Sequence, residues 1–246
     1  MPNLEIEAKR IVDTAKDQDA VIRVIGGLAI FIQSPSAKGL RLSRSYQDVD
    51  LVGYSSQRQL INRVFLGLGY QPNKRFNALQ GHRRLLYFSA KEDYSVDVFM
   101  DVFPMCHLIN FKGRLNEETY TVPLPELLLS KLQVIELNEK DLKDALALIS
   151  DHEIKLKPEV GGIAMRPILS IASKDWGWYN TIYKNLDRLE NVASSYLEEG
   201  MENVVRGRIR LLRDELKIAP KSIRWKLRAL IGERVRWYNL PEEVAH

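Results

Sequence analysis

Apolar positions along the 246 residues change period several times, and each change marks an element. Residues 4–16 carry Leu4, Ile6, Ala8, Ile11, Val12 and Ala15 mostly at helical spacing, which predicts an amphipathic helix packed on a sheet. A short apolar run at 21–25 meets Gly26-Gly27, and residues 28–32 continue as apolar helix. Residues 56–68 place Leu60, Ile61, Val64, Phe65 and Leu68 three and four apart, predicting a second helix stopped by Gly67 and Gly69. Two strand patterns follow at 83–89 and 94–103, joined by the polar turn Lys91-Glu92-Asp93, so they read as a hairpin. Helices are predicted at 127–137 and at 139–149, the latter capped by Asn138. Residues 152–166 contain Lys-Pro and Gly-Gly and read as a loose connection. Beyond them the pattern is helical at 175–198, 201–217 and 223–238, where Pro241 stops it.

The candidate chemistry sits at the joints of this pattern. An apolar run, a glycine pair and a helix start form a place where backbone N–H groups can meet a phosphate. Further on, Asp48-Val49-Asp50-Leu51 alternates acidic and apolar residues. On an extended strand residues two apart share a face, so Asp48 and Asp50 present their carboxylates side by side. That arrangement is unfavourable unless a cation lies between them, and oxygen-rich clusters suit Mg2+. In 94–103 the same period puts Asp97, Phe99 and Asp101 on one face and Val96, Val98, Met100 and Val102 on the other. Lys131 interrupts the apolar stripe of Leu127, Leu128, Leu132 and Ile135, as a lysine does when it snorkels to solvent or meets an anion.

Composition narrows the field without naming a function. Hydrophobic residues make up 45% and charged residues 28%, ordinary for a soluble globular chain. The single cysteine, Cys106, excludes an intramolecular disulfide, and no stretch approaches a membrane span, so the expected compartment is the cytoplasm and no membrane partner is expected. His82, Cys106 and His107 lack the spacing of a four-ligand zinc site, so Cys106 reads as a small buried apolar residue. The net charge of +4 is unevenly spread: residues 206–236 hold eleven Lys or Arg against three acids. Within that run Arg206, Arg210, Arg213 and Arg224 are candidate contacts to a nucleic-acid backbone. The tryptophans at 176, 178, 225 and 237 fall at helical spacing and read as bundle packing.

Gly26-Gly27, a spacer, Asp48-Val49-Asp50-Leu51 and then Val96-Asp97-Val98 resemble the signature of the DNA polymerase β-like nucleotidyltransferase superfamily. The stretch LLLSKLQ followed by KDLKD is similar to the AbiEii/AbiGii-type abortive-infection enzymes within it. The likeness covers roughly the first 150 residues. It departs in having Gly27 where the superfamily often has serine, and in a longer spacer, as if 34–44 were an inserted loop. The resemblance implies an α/β (α+β) minimal nucleotidyltransferase fold with a mixed sheet at 1–152, followed by a helical C-terminal domain at 153–246. It implies Mg2+ or Mn2+ held by Asp48, Asp50 and Asp97, with Asp97 as general base and Asp101 its competitor. Gly26 and Gly27 would cradle the phosphates of an NTP. Lys131 would contact the triphosphate, and Asp141 or Asp144 would position it. The implied reaction moves an NMP to a hydroxyl acceptor, RNA of a tRNA-like kind or protein, with a toxin-like role. The alternatives are a small-molecule, antibiotic-type adenylyltransferase and a non-catalytic nucleotide-binding partner of a toxin–antitoxin pair.

Overall fold

The computed structural model describes residues 3–116, 120–157 and 161–240. The chain forms two compact units. The first comprises Met1–Gln33, Ser45–Phe103 and Leu108–Pro123, and the second Ser34–Arg44, Pro104–His107 and Leu124–His246. This partition departs from the boundary expected at 152/153. The helical unit already begins at Leu124, and it takes in the 34–44 segment that interrupts the sheet unit.

The sheet unit contains α1 (Leu4–Asp17), β1 (Ile22–Ile25), α2 (Gly26–Gln33), β2 (Val49–Gly53), α3 (Arg58–Gly67), β3 (Gln71–Pro72), α4 (Lys74–Gln80), β4 (Arg84–Phe88) and β5 (Ser95–Met100), followed by β6 (Val102–Pro104) and β7 (Leu108–Asn110). Five strands lie in the order β1-β2-β5-β4-β3, with β2 and β5 parallel and the other neighbours antiparallel, so the sheet is mixed as expected. Strand β5 is central, and all six of its residues are buried. One sheet face is apolar: Val24, Leu51, Val98 and Leu85 form one cross-strand row, and Val49, Val96 and Tyr87 the next. Helix α3 covers it, with Phe65 stacked on Tyr87 at 4.2 Å between ring centroids. Such burial is the main stabilising term, about 1.5–3 kcal/mol for each large apolar side chain removed from water.

Several elements end elsewhere than the pattern predicts, each for a local reason. Helix α3 runs through Gly67, and Gly69, at φ +85°, turns the chain out of it. The strand expected over 94–103 breaks at Asp101, whose φ is 62°, leaving β5 and β6 as separate pieces. Asp101 is thus not on the one continuous strand with Asp97 that the alternation predicts. It ends the central strand, and its carboxylate accepts hydrogen bonds from the backbone N and Oγ of Ser55.

The helical unit contains α5 (Leu124–Leu132), α6 (Glu139–Asp151), β8 (Ile154–Lys155), β9 (Ile163–Ala164), α7 (Met165–Lys174), α8 (Trp176–Tyr196), α9 (Glu199–Ile218) and α10 (Ile223–Ile231). Asn138 caps α6 as expected, its side chain accepting from the Asp141 N–H. The loose connection at 152–166 proves more ordered where it is described. Ile154 and Lys155 pair in parallel with Ile163 and Ala164, while 158–160, with Pro158, lie outside the described residues. The helix expected to reach 238 ends at Ile231, because Gly232 adopts φ 60°; Pro241 lies outside the described residues. Trp176 and Trp178 are buried, and Trp225 packs edge-on against Tyr179 at 5.2 Å.

Cys106 is buried and free, and His107 is buried beside it. The imidazole stacks on Trp178 at 4.6 Å, and its Nε2 hydrogen-bonds with Thr181 Oγ1 at 2.9 Å. Burial pushes the His107 pKa down from 6.5 to about 4, against a weaker upward pull from Asp175. A histidine with a depressed folded-state pKa binds fewer protons folded than unfolded between those values, so stability rises with pH across that window. Denaturant unfolding monitored through tryptophan fluorescence should therefore lose roughly 3 kcal/mol as pH falls from about 6.5 to about 4. His107→Gln should flatten that part of the profile.

Candidate functional site

The second face of the sheet carries charge. Register pairs Ile25 with Asp50 and Asp50 with Asp97, so the two aspartates occupy neighbouring positions on the parallel strands β2 and β5. Strands stand about 4.8 Å apart, which places the two carboxylates side by side. Asp97 is 3% exposed and Asp50 half-buried. Asp48 lies one residue before β2 and is exposed, its carboxylate accepting from Ser95 Oγ at 3.3 Å. The expectation of a shared Asp48/Asp50 strand face is thus joined by a cross-strand neighbour that single-strand periodicity does not reveal.

Two features hold the pair in place. Gly26 ends the tight turn from β1 into α2 at φ 76°, and a Cβ built there would stand 2.9 Å from Asp50 Oδ2. Glycine is demanded twice, by the backbone and by the carboxylate against it. The N-terminus of α2 therefore lies against Asp50, where its partial positive charge offsets part of the carboxylate's negative charge. Gly27 is the second residue of α2 and half-buried. On the other side Arg84 donates from Nε to Asp97 Oδ1 at 2.6 Å. Its guanidinium lies 4.9 Å from the Phe99 ring centre and 5.9 Å from that of Phe76. The row is fixed through β4 as well: Leu86 pairs with Asp97, and the Asn77 side chain accepts from Leu86 N and donates to Leu86 O. Sequence reading passed over Arg84. The signal for it was a cation opening an otherwise apolar strand pattern next to the acidic strand.

The donor set fits a hard divalent cation. Mg2+ binds through one or two carboxylates and completes its shell with water and substrate oxygens. Among the described residues no three His, Cys, Asp or Glu side chains form a closed metal cluster, so a cation here would take the remaining ligands from solvent and substrate.

Lys131, Asp141 and Asp144 lie in the helical unit and are tied together. Lys131 Nζ is 3.0 Å from Asp141 Oδ1 and 2.9 Å from Asp144 Oδ2. Arg44 grips Asp144 with Nε at 2.8 Å and Nη2 at 2.7 Å. Burial alone would pull the Lys131 pKa down, but Asp144 and Asp141 outweigh it and raise it. For Asp144, burial pushes upward and is overcome by Lys131 and Arg44, leaving it lowered. Two cations and two carboxylates make a balanced set. Arg44, with the contact of Ser36 to Asp151, fastens the segment that the sequence suggested was an insertion.

The basic run is also largely engaged within the helical unit. Arg206 pairs with Glu202 at 2.7 Å, and Arg210 and Arg213 both reach Glu190 at 2.6 Å. Arg208 donates to the carbonyls of Ile149 and Ser150, Lys221 to those of Leu216 and Ala219, and Arg228 to those of Gly232 and Val235. Arg224 is exposed on α10.

Fold and site together define a mixed-sheet α/β unit with an acidic pair on two adjacent parallel strands, followed by helices. No protein-family model matches the chain, and no curated protein matches it. Among solved structures it is similar to a lincosamide antibiotic adenylyltransferase, LnuA, bound to lincomycin, with 15% identity and a TM-score of 0.43 over 60% of this chain and 96% of that one. It is also similar to the antibiotic-resistance factor ANT(2'')-Ia, with 11% identity and a TM-score of 0.41 over 61% of this chain and 85% of that one.

Removing one member of a buried ion network strands its partner. Asp144→Asn should therefore cost roughly 3–5 kcal/mol in the unfolding free energy measured by urea titration. Lys131→Met should likewise lower stability in the same titration, because it strands Asp141 and Asp144.

Proposed function

We propose that the chain is a nucleotidyltransferase that moves an NMP from an NTP to a hydroxyl group of a small molecule. The observation that carries the reading is the Asp50–Asp97 pair, aligned across β2 and β5 with the α2 N-terminus against one member. Two ionisable acids at paired positions are costly unless something cationic or electrophilic uses them. A phosphoryl group brought in with its counter-cation is such a partner.

In this reading Asp97 is the general base. Arg84 holds its Oδ1, so Oδ2 remains for the proton of the attacking hydroxyl. As the acceptor oxygen bonds to the α-phosphorus, the bond to the bridging oxygen breaks and pyrophosphate leaves. Asp50 and Asp97 would hold Mg2+ or Mn2+, with Asp48 a further acidic group just before β2, and the ion would supply charge neutralisation on the triphosphate and acidify the acceptor hydroxyl. Gly26 and Gly27 open α2 beside this pair, where backbone N–H groups can meet phosphate oxygens. Asp101 has no part in the chemistry, being occupied by Ser55.

A small molecule is favoured over RNA because three of the four arginines that would dock a polyanion are already paired with acids of the helical unit, Arg224 remaining exposed on α10. Arg206, Arg210 and Arg213 face Glu202 and Glu190, and Arg213 also reaches Asp187 at 3.1 Å. An RNA-binding face keeps its cations for phosphates, and its affinity falls steeply with salt. The AbiEii-type likeness rests on Lys131, Asp141 and Asp144, whose charges are matched to each other and to Arg44.

The test is incubation with each α-labelled NTP and Mg2+, offering a panel of polyhydroxylated small molecules in one arm and total tRNA in the other. Label should move to a small molecule. Transfer to tRNA alone would overturn the acceptor class, and transfer to neither would overturn the activity. Asp50→Asn and Asp97→Asn should each reduce turnover by a factor on the order of 10² or more, with Asp101→Asn changing it far less provided the variant folds. Equal losses across all three would remove Asp97 from its assigned role.

A further inference from the structure

Arg84 has one edge in use and one to spare. Its Nε holds Asp97, and among the described residues neither Nη atom has a hydrogen-bond partner. Neither Nη is among the buried atoms left without a partner, and the side chain keeps 20% exposure, so that edge meets solvent. The guanidinium is already clamped between Asp97, Phe99 and Phe76, so little rotamer freedom remains to be lost on binding. A rigid fork with its outer N–H groups unassigned, beside an acidic pair suited to a divalent cation, matches the oxygens of a phosphate.

We propose that Arg84 binds a phosphate oxygen of the nucleotide through its Nη edge while its Nε edge keeps Asp97 in place. This rests on the nucleotidyltransferase reading for the identity of the phosphate, but the binding itself can be measured without turnover. The charge arithmetic explains why one residue serves both groups. Asp50 and Asp97 repel a bare phosphate, whereas a cation fixed to one of them converts the local field into one that accepts it. Arg83, the adjacent and exposed arginine, has the same charge without the seat and serves as the control.

The probe is inorganic tripolyphosphate with Mg2+, titrated calorimetrically, with Mn2+ alone followed by electron paramagnetic resonance. Arg84→Gln should weaken tripolyphosphate binding about tenfold or more. Arg84→Lys should lose less, and Arg83→Gln should stay within about twofold of wild type. Affinity for Mn2+ alone should hold or rise in Arg84→Gln, because a competing positive charge has gone. Were Arg84 only a prop for Asp97, Arg84→Gln would instead lose Mn2+ and tripolyphosphate in parallel, as Asp97→Asn does, and the proposal would fall. It would fall equally if folded wild type bound no tripolyphosphate, or if folded Arg84→Gln bound it unchanged. A thermal melt checks folding, and Arg84→Lys carries the comparison should the glutamine variant unfold. Absence of NMP transfer to any acceptor, with Arg84-dependent binding intact, would sink the proposed reaction and leave this site standing.

Discussion

The sheet unit is built around an unfavourable contact, two aspartates at paired positions on adjacent parallel strands. Left alone, two ionised carboxylates at that separation would repel each other and loosen the strands that bear them. The neighbouring structure is arranged against that outcome. The positive end of α2 meets Asp50, which requires Gly26 at the turn. Arg84 meets Asp97, its own position fixed by β4 register and two aromatic rings. The opposite face is wholly apolar, so β5 cannot slip by one residue without carrying Asp97 into the packing against α3.

The break after Met100 follows from the same constraint. A strand continuing through residue 101 would put another carboxylate on the acidic face. Positive φ at Asp101 instead turns that side chain to Ser55, where a backbone N–H and a hydroxyl satisfy it. Two aspartates four residues apart thus meet different partners, Arg84 for Asp97 and Ser55 for Asp101, separated by a single backbone conformation.

Much of this was legible from periodicity. Alternation put Asp97 opposite the valines, helical spacing placed α1, α3, α6, α8 and α9, and Asn138 announced its helix. What periodicity omits is which strands are neighbours. The Asp50–Asp97 pairing depends on strand order β1-β2-β5-β4-β3, in which β5 is inserted between β2 and β4, and no single strand encodes that. Arg84 was invisible for the same reason, since its meaning comes from the strand it pairs with. Lys131 shows the opposite failure. Its interruption of an apolar stripe leaves snorkelling to solvent and meeting an anion both open, and the anions its ammonium meets are Asp141 and Asp144 of the same chain. Local backbone conformation set the remaining differences: Gly69, Asp101 and Gly232 all adopt positive φ, and a residue type alone does not say which glycine or aspartate will turn.

The basic run at 206–236 makes a wider point about reading charge from sequence. Net charge counts residues, whereas a binding face depends on how many cations are left over once the fold has taken its share. In the helical unit α9 lies against α8 with Arg210 and Arg213 converging on Glu190, whose pKa is lowered because these arginines outweigh the upward push of burial. Arg208 caps the carbonyl end of α6, and Lys221 and Arg228 close the ends of α9 and α10 in the same way. Helix C-termini leave carbonyls in need of donors, and arginine and lysine supply them. A helical bundle with several exposed ends therefore consumes basic residues for structural reasons. A cation whose donors already serve carbonyls or carboxylates is less free to meet a phosphate, whatever the sequence count of basic residues.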